Sequence, residues 1–161
     1  RSPSDGAASG ALDRMDCRAL VEGDIPAIAG IHRRACLIAY SFLNWAFTLD
    51  EVREWYDERF WEWDWGRVAL VGGVPVAYIA TFGAHVDQLF VDPAHQRRGI
   101  GDALMAAALE RSPPATSLMV FERTLPARAF YRRHGFVEAS RFVNRKAGAV
   151  ELVLFRQPPL R

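Results

Sequence analysis

The sequence predicts a mixed α/β (α+β) domain built around one sheet. The chain has 161 residues, about the length of one ordinary domain, and 50% of them are hydrophobic. Short apolar runs typical of strands alternate with longer segments of helical periodicity. Their order is strand, two helices, three strands, helix, strand, helix and two strands, a pattern that favours helices packed on a single sheet.

In the first third of the chain, residues 15–21 are predicted to form an edge strand, and two helices follow. Asp24 is placed to cap the first helix, with Pro26 in its first turn. Thr48 and Glu51 form a capping box that starts the second, because each side chain can bind the other residue's free amide.

The remainder predicts six strands and two helices. Gly72 and Gly73 indicate a tight hairpin between the second and third strands. The helices follow the fourth and fifth strands. The predicted strand ranges are 67–71, 75–82, 85–91, 117–121, 136–143 and 150–156.

The domain organisation predicted from composition is simple. Residues 1–14 are rich in Ser, Gly and Ala and are expected to be a flexible extension or an expression remnant. Residues 15–157 form one domain, and residues 158–161 are expected to fray. The sequence does not open with a charged segment followed by an apolar one, so no signal peptide is expected. No apolar run reaches the roughly 20 residues of a membrane span, so no membrane anchor is expected.

Charge and cysteine content exclude several classes of protein. Lys and Arg total 20 against 19 for Asp and Glu, a net charge of +1, so we expect no nucleic-acid binding. Cys17 and Cys36 form neither a disulfide framework nor a metal-ligand pattern, so we expect no metal and a cytoplasmic location. Both cysteines are interpreted as small buried residues.

The segment from Leu89 to Met105 carries the strongest chemical signal. It is predicted as a buried strand, a turn at Pro93, a basic loop containing Gly99 and Gly101, and a helix. Unpaired amides at such a helix N-terminus bind anions, and the glycines let a phosphate approach. The sequence is neither a Walker A motif nor a GxGxxG fingerprint. Alternatively, the glycines only cap the helix.

Two motifs resemble the GNAT (GCN5-related N-acetyltransferase) superfamily. Gln96-Arg97-Arg98-Gly99-Ile100-Gly101 is similar to its acetyl-CoA signature, Q/R-x-x-G-x-G/A. The segment from Ala127 to Phe136 is similar to A-x-x-F/L-Y-x-x-x-G-F. Both stand in the family's order, and the resemblance covers nearly the whole domain.

The resemblance implies a fold, an activity and a cofactor site. The fold would be a mostly antiparallel central sheet of about seven strands flanked by about four helices, splayed between the fourth and fifth strands. The activity would be acetyl-CoA-dependent N-acetyl transfer to an amine, by direct attack in a ternary complex. Thr124 stands where the family often has Asn. The residues implied to bind acetyl-CoA are Leu89, Phe90, Val91, Gln96, Arg97, Arg98, Gly99, Ile100, Gly101, Asp102, Thr124 and Arg128.

The resemblance also implies catalytic roles. Tyr131 matches the family tyrosine near the sulfur, and a phenol with a pKa of about 10 can protonate a thiolate. His85 stands where many relatives carry a Glu base. Alternation along a strand predicts that His85, Asp87 and Leu89 share one face, so Asp87 could orient His85, raise its pKa or replace it as the base. Alternatively, His85 is only a strand-start residue.

The predicted acceptor is a primary amine of a small molecule or a peptide. The resemblance places its pocket between the last hairpin and the loop that joins the first two helices. In that loop, Tyr40, Phe42 and Trp45 could form an aromatic wall. These rings could instead fill a core or a dimer contact, so monomer and homodimer both stay open. A CoA-binding regulatory or degenerate domain without transfer activity is the alternative function.

Overall fold

The computed structural model describes residues 14–157. Within this range the chain forms a seven-stranded sheet in the order β1-β2-β3-β4-β5-β7-β6. Every neighbouring pair is antiparallel except β4 and β5, which run parallel. The strands are β1 (Met15–Ala19), β2 (Trp65–Val71), β3 (Val74–Phe82), β4 (His85–Val91), β5 (Ser117–Phe121), β6 (Val137–Asn144) and β7 (Ala149–Phe155).

The described residues contain four α-helices, and local signals explain where two of them begin. Thr48 Oγ1 accepts a hydrogen bond from the Glu51 amide at 3.2 Å, which confirms the predicted capping box. Asp24 precedes the first helix, but its carboxylate instead accepts bonds from the Val21 amide and from Arg18. The helices are α1 (Ile25–Ala39), α2 (Leu49–Arg59), α3 (Ile100–Glu110) and α4 (Leu125–Arg133).

The helices cover the sheet in two layers, each with its own core. On one face, Leu104 and Met105 of α3 are fully buried against β3, β5 and β7. On the other face, Ile28 of α1 and Tyr56 of α2 pack against β2 and β3. The sheet therefore separates α3 and α4 from α1 and α2.

The prediction of a mixed, mostly antiparallel seven-stranded sheet flanked by four helices is confirmed. The first strand is shorter than predicted and ends at Ala19. Cys36 is buried as expected, but the interpretation of Cys17 was wrong, because it lies exposed on this edge strand. The predicted extension, apart from Arg14, and the predicted tail lie outside the described residues. Among residues 14–157, every helix is too short or too polar to cross a bilayer.

Candidate active site

The sheet opens between β4 and β5. These strands pair only through His85 with Ser117 and Val86 with Leu118. Beyond those two pairs, residues 87–91 of β4 and residues 119–121 of β5 have no register partner in each other. The strands thus bound a wedge-shaped gap whose inner edges carry backbone amides and carbonyls, groups that require partners when buried.

A β-bulge at the start of the gap changes which side chains share a face. On β3, Thr81 pairs with Val86 and Ala80 pairs with Gln88, so Asp87 is the extra residue. As a result, Val86 and Leu89 both pack into the core beneath α3. The prediction that Leu89 shares a face with His85 and Asp87 was therefore wrong.

The loop between β4 and α3 leads into a helix N-terminus that no N-cap side chain closes. Arg97 and Gly99 have left-handed backbone conformations, with φ of 62° and 79°. Gly99 occupies the N-cap of α3, and no side chain caps the helix. The amides of the first turn therefore have no side-chain acceptor and lie at the positive end of the helix dipole.

Gly101 permits close packing beneath this loop. A Cβ atom at this position would lie 3.3 Å from Phe130 of α4 and 3.5 Å from Val91 of β4. A side chain here would push α3 away from both elements. Because Gly101 has no side chain, the first turn of α3 can pack closely against β4 and α4, next to the gap.

Thr124, the N-cap residue of α4, is buried without a hydrogen-bond partner. Its side chain makes no capping bond, it is 7% exposed, and Oγ1 is unpaired within the described residues. A buried hydroxyl without a partner is unusual in a folded protein. This orphaned group and the uncapped amides of α3 fit a ligand with a phosphate at one end and hydrogen-bonding groups along its length.

Tyr131 lies on α4, on the same side of the sheet as α3. Its ring packs edge-on against Phe130, with centroids 5.3 Å apart, and against Phe136. Burial raises the pKa of its phenol to about 12. Tyr131 therefore keeps its proton at neutral pH and can donate it.

His85 and Asp87 have separate partners. His85 Nδ1 lies 2.9 Å from Ser117 Oγ across the last paired residues of β4 and β5. The Asp87 carboxylate accepts bonds from Arg59 at 2.7 and 2.9 Å and from Trp63 Nε1 at 2.8 Å. The Asp87 carboxylate is thus held by Arg59 and Trp63, and no hydrogen bond joins it to His85 within the described residues.

The pKa of His85 moves in the direction opposite to the one expected from the sequence. Burial lowers the pKa below its ordinary value of 6.5, and this effect outweighs the attraction of Asp87, which raises it. The Arg59 guanidinium adds a further lowering effect. His85 is thus neutral at neutral pH, the state that a base requires.

Comparison with known proteins gives this geometry a family. The profile described as "Acetyltransferase (GNAT) domain" matches residues 57–138. The chain is 30% identical over 117 residues to YiaC, a peptidyl-lysine N-acetyltransferase of Escherichia coli (strain K12), covering 70% of this chain and 77% of YiaC.

The chain belongs to the GNAT acetyltransferase family. This confirms the resemblance and the prediction of an N-acetyltransferase. YafP, an uncharacterized N-acetyltransferase of the same strain, is 25% identical over 131 residues, covering 78% of this chain and 83% of YafP. The structure of YncA from Salmonella typhimurium with its cofactor acetyl-CoA shares the fold, with a TM-score of 0.67, 19% identity and coverage of 92% of this chain and 96% of that one.

Among the residues that the GNAT resemblance implied for acetyl-CoA, Gln96 and Arg128 each donate a side-chain hydrogen bond to a backbone carbonyl. Gln96 Nε2 donates a hydrogen bond to the Val91 carbonyl at 3.1 Å. The carbonyl group at the end of β4 therefore already has a partner within the chain. Arg128 donates to the Glu122 carbonyl at 2.9 Å and lines a cavity of about 290 Å³ formed by α4, β6 and β7. Its guanidinium is therefore held on the side of α4 that faces the last two strands.

The aromatic residues predicted for the acceptor wall fall into two groups. Tyr40 and Phe42 pack on Phe121 at the end of β5, with ring centroids 5.2 and 6.0 Å away. Trp45 instead packs against His32 and Phe47. The predicted wall is therefore divided between the end of β5 and the surface of α1.

The sequence did not predict that Phe121, on which Tyr40 and Phe42 pack, lies directly opposite Glu151 of β7. The alternation of Leu152 and Leu154 with intervening residues placed Glu151 on the face away from the α3 core, and this signal was available. The register that brings Glu151 beside Phe121 was not, because it joins distant segments.

Proposed function

We propose that this GNAT chain is an acetyl-CoA-dependent N-acetyltransferase that acetylates a primary amine of a small molecule or a peptide. The gap between β4 and β5, with the uncapped amides of α3 at one end and the protonated phenol of Tyr131 close by, carries the proposal. The printed function of YiaC, a peptidyl-lysine N-acetyltransferase, supports a lysine side chain as one candidate acceptor.

In this proposal the residues around the gap bind and orient acetyl-CoA. The first-turn amides of α3, assisted by Arg97 and Arg98, hold the pyrophosphate. Free backbone groups of β4 and the Thr124 hydroxyl hold the pantetheine arm. Bound acetyl-CoA supplies an activated acetyl thioester, which the amine attacks directly in a ternary complex.

Proton transfer then falls to two side chains. Tyr131, which burial keeps protonated at neutral pH, donates a proton to the leaving thiolate. His85 accepts the amine's proton directly or through water, since its lowered pKa keeps it neutral. Ser117 holds Nδ1 of that imidazole.

The test combines binding with turnover. Acetyl-CoA is expected to raise the melting temperature, because a ligand that binds only the folded state stabilises it. Thiol release is then followed with a panel of alkyl, aromatic and peptide amines. Binding without thiol release across the panel would contradict the proposal and favour the regulatory alternative.

Gly99→Glu should abolish the thermal shift, because it places bulk and negative charge at the α3 amides. Gly72→Glu provides the matched control, since Gly72 also has a positive φ, of 58°, and lies in the β2–β3 turn with open space around it. Gly72→Glu should keep the shift, and an unchanged shift in Gly99→Glu would refute the pyrophosphate assignment.

A further inference from the structure

A cavity of about 290 Å³ lies between α4 and the hairpin formed by β6 and β7. We call this space the α4 cavity. One side of it is apolar and is formed by core residues that are at most 5% exposed, Phe136, Leu152 and Leu154. The other side carries charged groups, Arg128 and Arg132 of α4 and Glu138 of β6. The cavity therefore joins a hydrocarbon surface to a charged rim.

The α4 cavity is separate from the gap proposed for acetyl-CoA. It rests on β7 and β6, whereas the gap lies between β4 and β5. In the strand order β4-β5-β7-β6, the strand β5 therefore lies between the gap and the cavity. The Arg128 guanidinium, which donates to the Glu122 carbonyl at 2.9 Å, is held on this far side of α4. The cavity thus offers room for a ligand other than acetyl-CoA.

Positive charge exceeds negative charge around the α4 cavity. Arg141 forms ion pairs with both Glu122 and Glu138, each at 2.6 Å. Arg128 also acts on Glu138, whose pKa is lowered first by the hydrogen bond with Arg141 and further by the charge of Arg128. Arg132 forms no ion pair within residues 14–157. Three guanidinium groups thus meet two carboxylates, which leaves one positive charge without a partner in the described part of the chain.

An organic monocarboxylate satisfies both sides of the α4 cavity. A carboxylate matches a planar guanidinium, to which it can accept two parallel hydrogen bonds. An apolar body gains free energy by covering the hydrocarbon surface of Phe136 and Leu154. A single negative charge compensates the single excess positive charge, whereas a phosphate dianion would exceed it. An apolar lining with a few convergent polar groups is typical of small-molecule sites.

We infer that the α4 cavity binds a small monocarboxylic acid with an apolar body. Arg132 pairs with the carboxylate, and Arg128 supplies a second positive charge beside it. The apolar body of the ligand lies on Phe136 and Leu154. The inference goes beyond the proposed function, since it adds a ligand that takes no part in acetyl transfer.

The test uses calorimetry with three probes: 3-phenylpropionate, its neutral counterpart 3-phenylpropionamide, and acetate, which lacks the apolar body. The wild type should bind 3-phenylpropionate with a Kd about 10-fold below that of the amide, the gain expected for one charge-assisted hydrogen bond. Acetate should bind more weakly than 3-phenylpropionate. Arg132→Gln should remove the difference between the acid and the amide by raising only the Kd of the acid.

Arg133→Gln is the matched control, because Arg133 is the next residue of α4 but stacks on Phe130 at 5.6 Å and pairs with Asp102 at 3.7 Å. This variant should leave the Kd of 3-phenylpropionate unchanged, and so should saturation with acetyl-CoA. Equal affinity of the wild type for the acid and the amide, or of the wild type and Arg132→Gln for the acid, would overturn the inference, as would failure of the wild type to bind the acid. Displacement of 3-phenylpropionate by acetyl-CoA would also overturn it, because the cavity would then belong to the cofactor site.

Discussion

At the scale of single residues, the proposed acid Tyr131 and the proposed base His85 lie on opposite sides of the sheet. Tyr131 belongs to α4 and packs into the core beneath α3. His85 is adjacent in sequence to Val86, which points into that same core, so its imidazole faces the other layer. In the proposed mechanism, one side chain would therefore serve the thiol and the other the amine, each from its own side of the sheet.

Tyr131→Phe removes only the acidic proton. The kcat of acetyl transfer should fall by roughly 10²-fold, the lower range for loss of a general acid, because the ring packing against Phe130 and Phe136 remains. Calorimetry should give an unchanged Kd for acetyl-CoA. Wild-type turnover in this variant would eliminate the general-acid role.

His85→Gln should alter the pH dependence of kcat/KM. A base must be unprotonated, so the wild-type rate should fall as the pH drops through the histidine pKa, which burial holds below 6.5. The variant should lose this acidic limb and keep the thermal shift with acetyl-CoA. Persistence of the limb with an unmoved midpoint would assign the base elsewhere.

Sequence patterns predicted some of these residue roles and not others. The two motifs pointed to Tyr131 and to the loop at Gly99, because motif residues are close together in the chain. The ion pair between Asp87 and Arg59 was not predictable, since Arg59 is 28 positions away and only the packing of α2 on β4 brings it there. The same holds for Ser117 beside His85.

At the scale of elements, a buried polar cluster ties α1 and α2 to the sheet. His32 Nδ1 of α1 lies 2.7 Å from Tyr56 Oη of α2, which is also hydrogen-bonded to Tyr78 Oη of β3. The sequence did not indicate that His32 is buried, because helical spacing does not reveal what covers a side chain. Burial lowers its pKa to about 4.

This cluster should make the stability depend on pH. His32 takes up a proton near pH 6.5 in the unfolded chain but only near pH 4 in the folded one. Its contribution to the free energy of unfolding is therefore complete above pH 6.5 and is lost as the pH falls toward 4. The full loss is about 3 kcal/mol. Urea unfolding at pH 7.5 and 4.5 should show this loss in the wild type and a smaller one in His32→Gln.

His134→Gln is a control substitution of a histidine at the end of α4, where the ring is paired with Asp102. The His134→Gln variant should retain the pH dependence of the unfolding free energy that His32 causes. Identical pH dependence in the wild type and in His32→Gln would contradict the assignment to the α1–α2 cluster.

At the scale of the whole molecule, the order of elements was predictable and the spatial arrangement of the strands was not. Hydrophobic periodicity and turn residues identified seven strands and four helices, because these signals are local. The position of β7 between β5 and β6, and the bulge at Asp87, depend on pairing between distant segments. Only the family resemblance anticipated the separation of β4 from β5.

The junction between β4 and β5 also has a mechanical consequence. β1 lies at one edge of the sheet and β7 lies beyond β5, so tension applied between Arg14 and Gln157 must pass through two parallel residue pairs and the helix contacts beside them. We expect this seam to rupture first in optical-tweezers experiments. A molecule of acetyl-CoA held in the gap would reinforce the seam and raise the rupture force, so the cosubstrate would act as a mechanical crosslink between the two halves of its own enzyme.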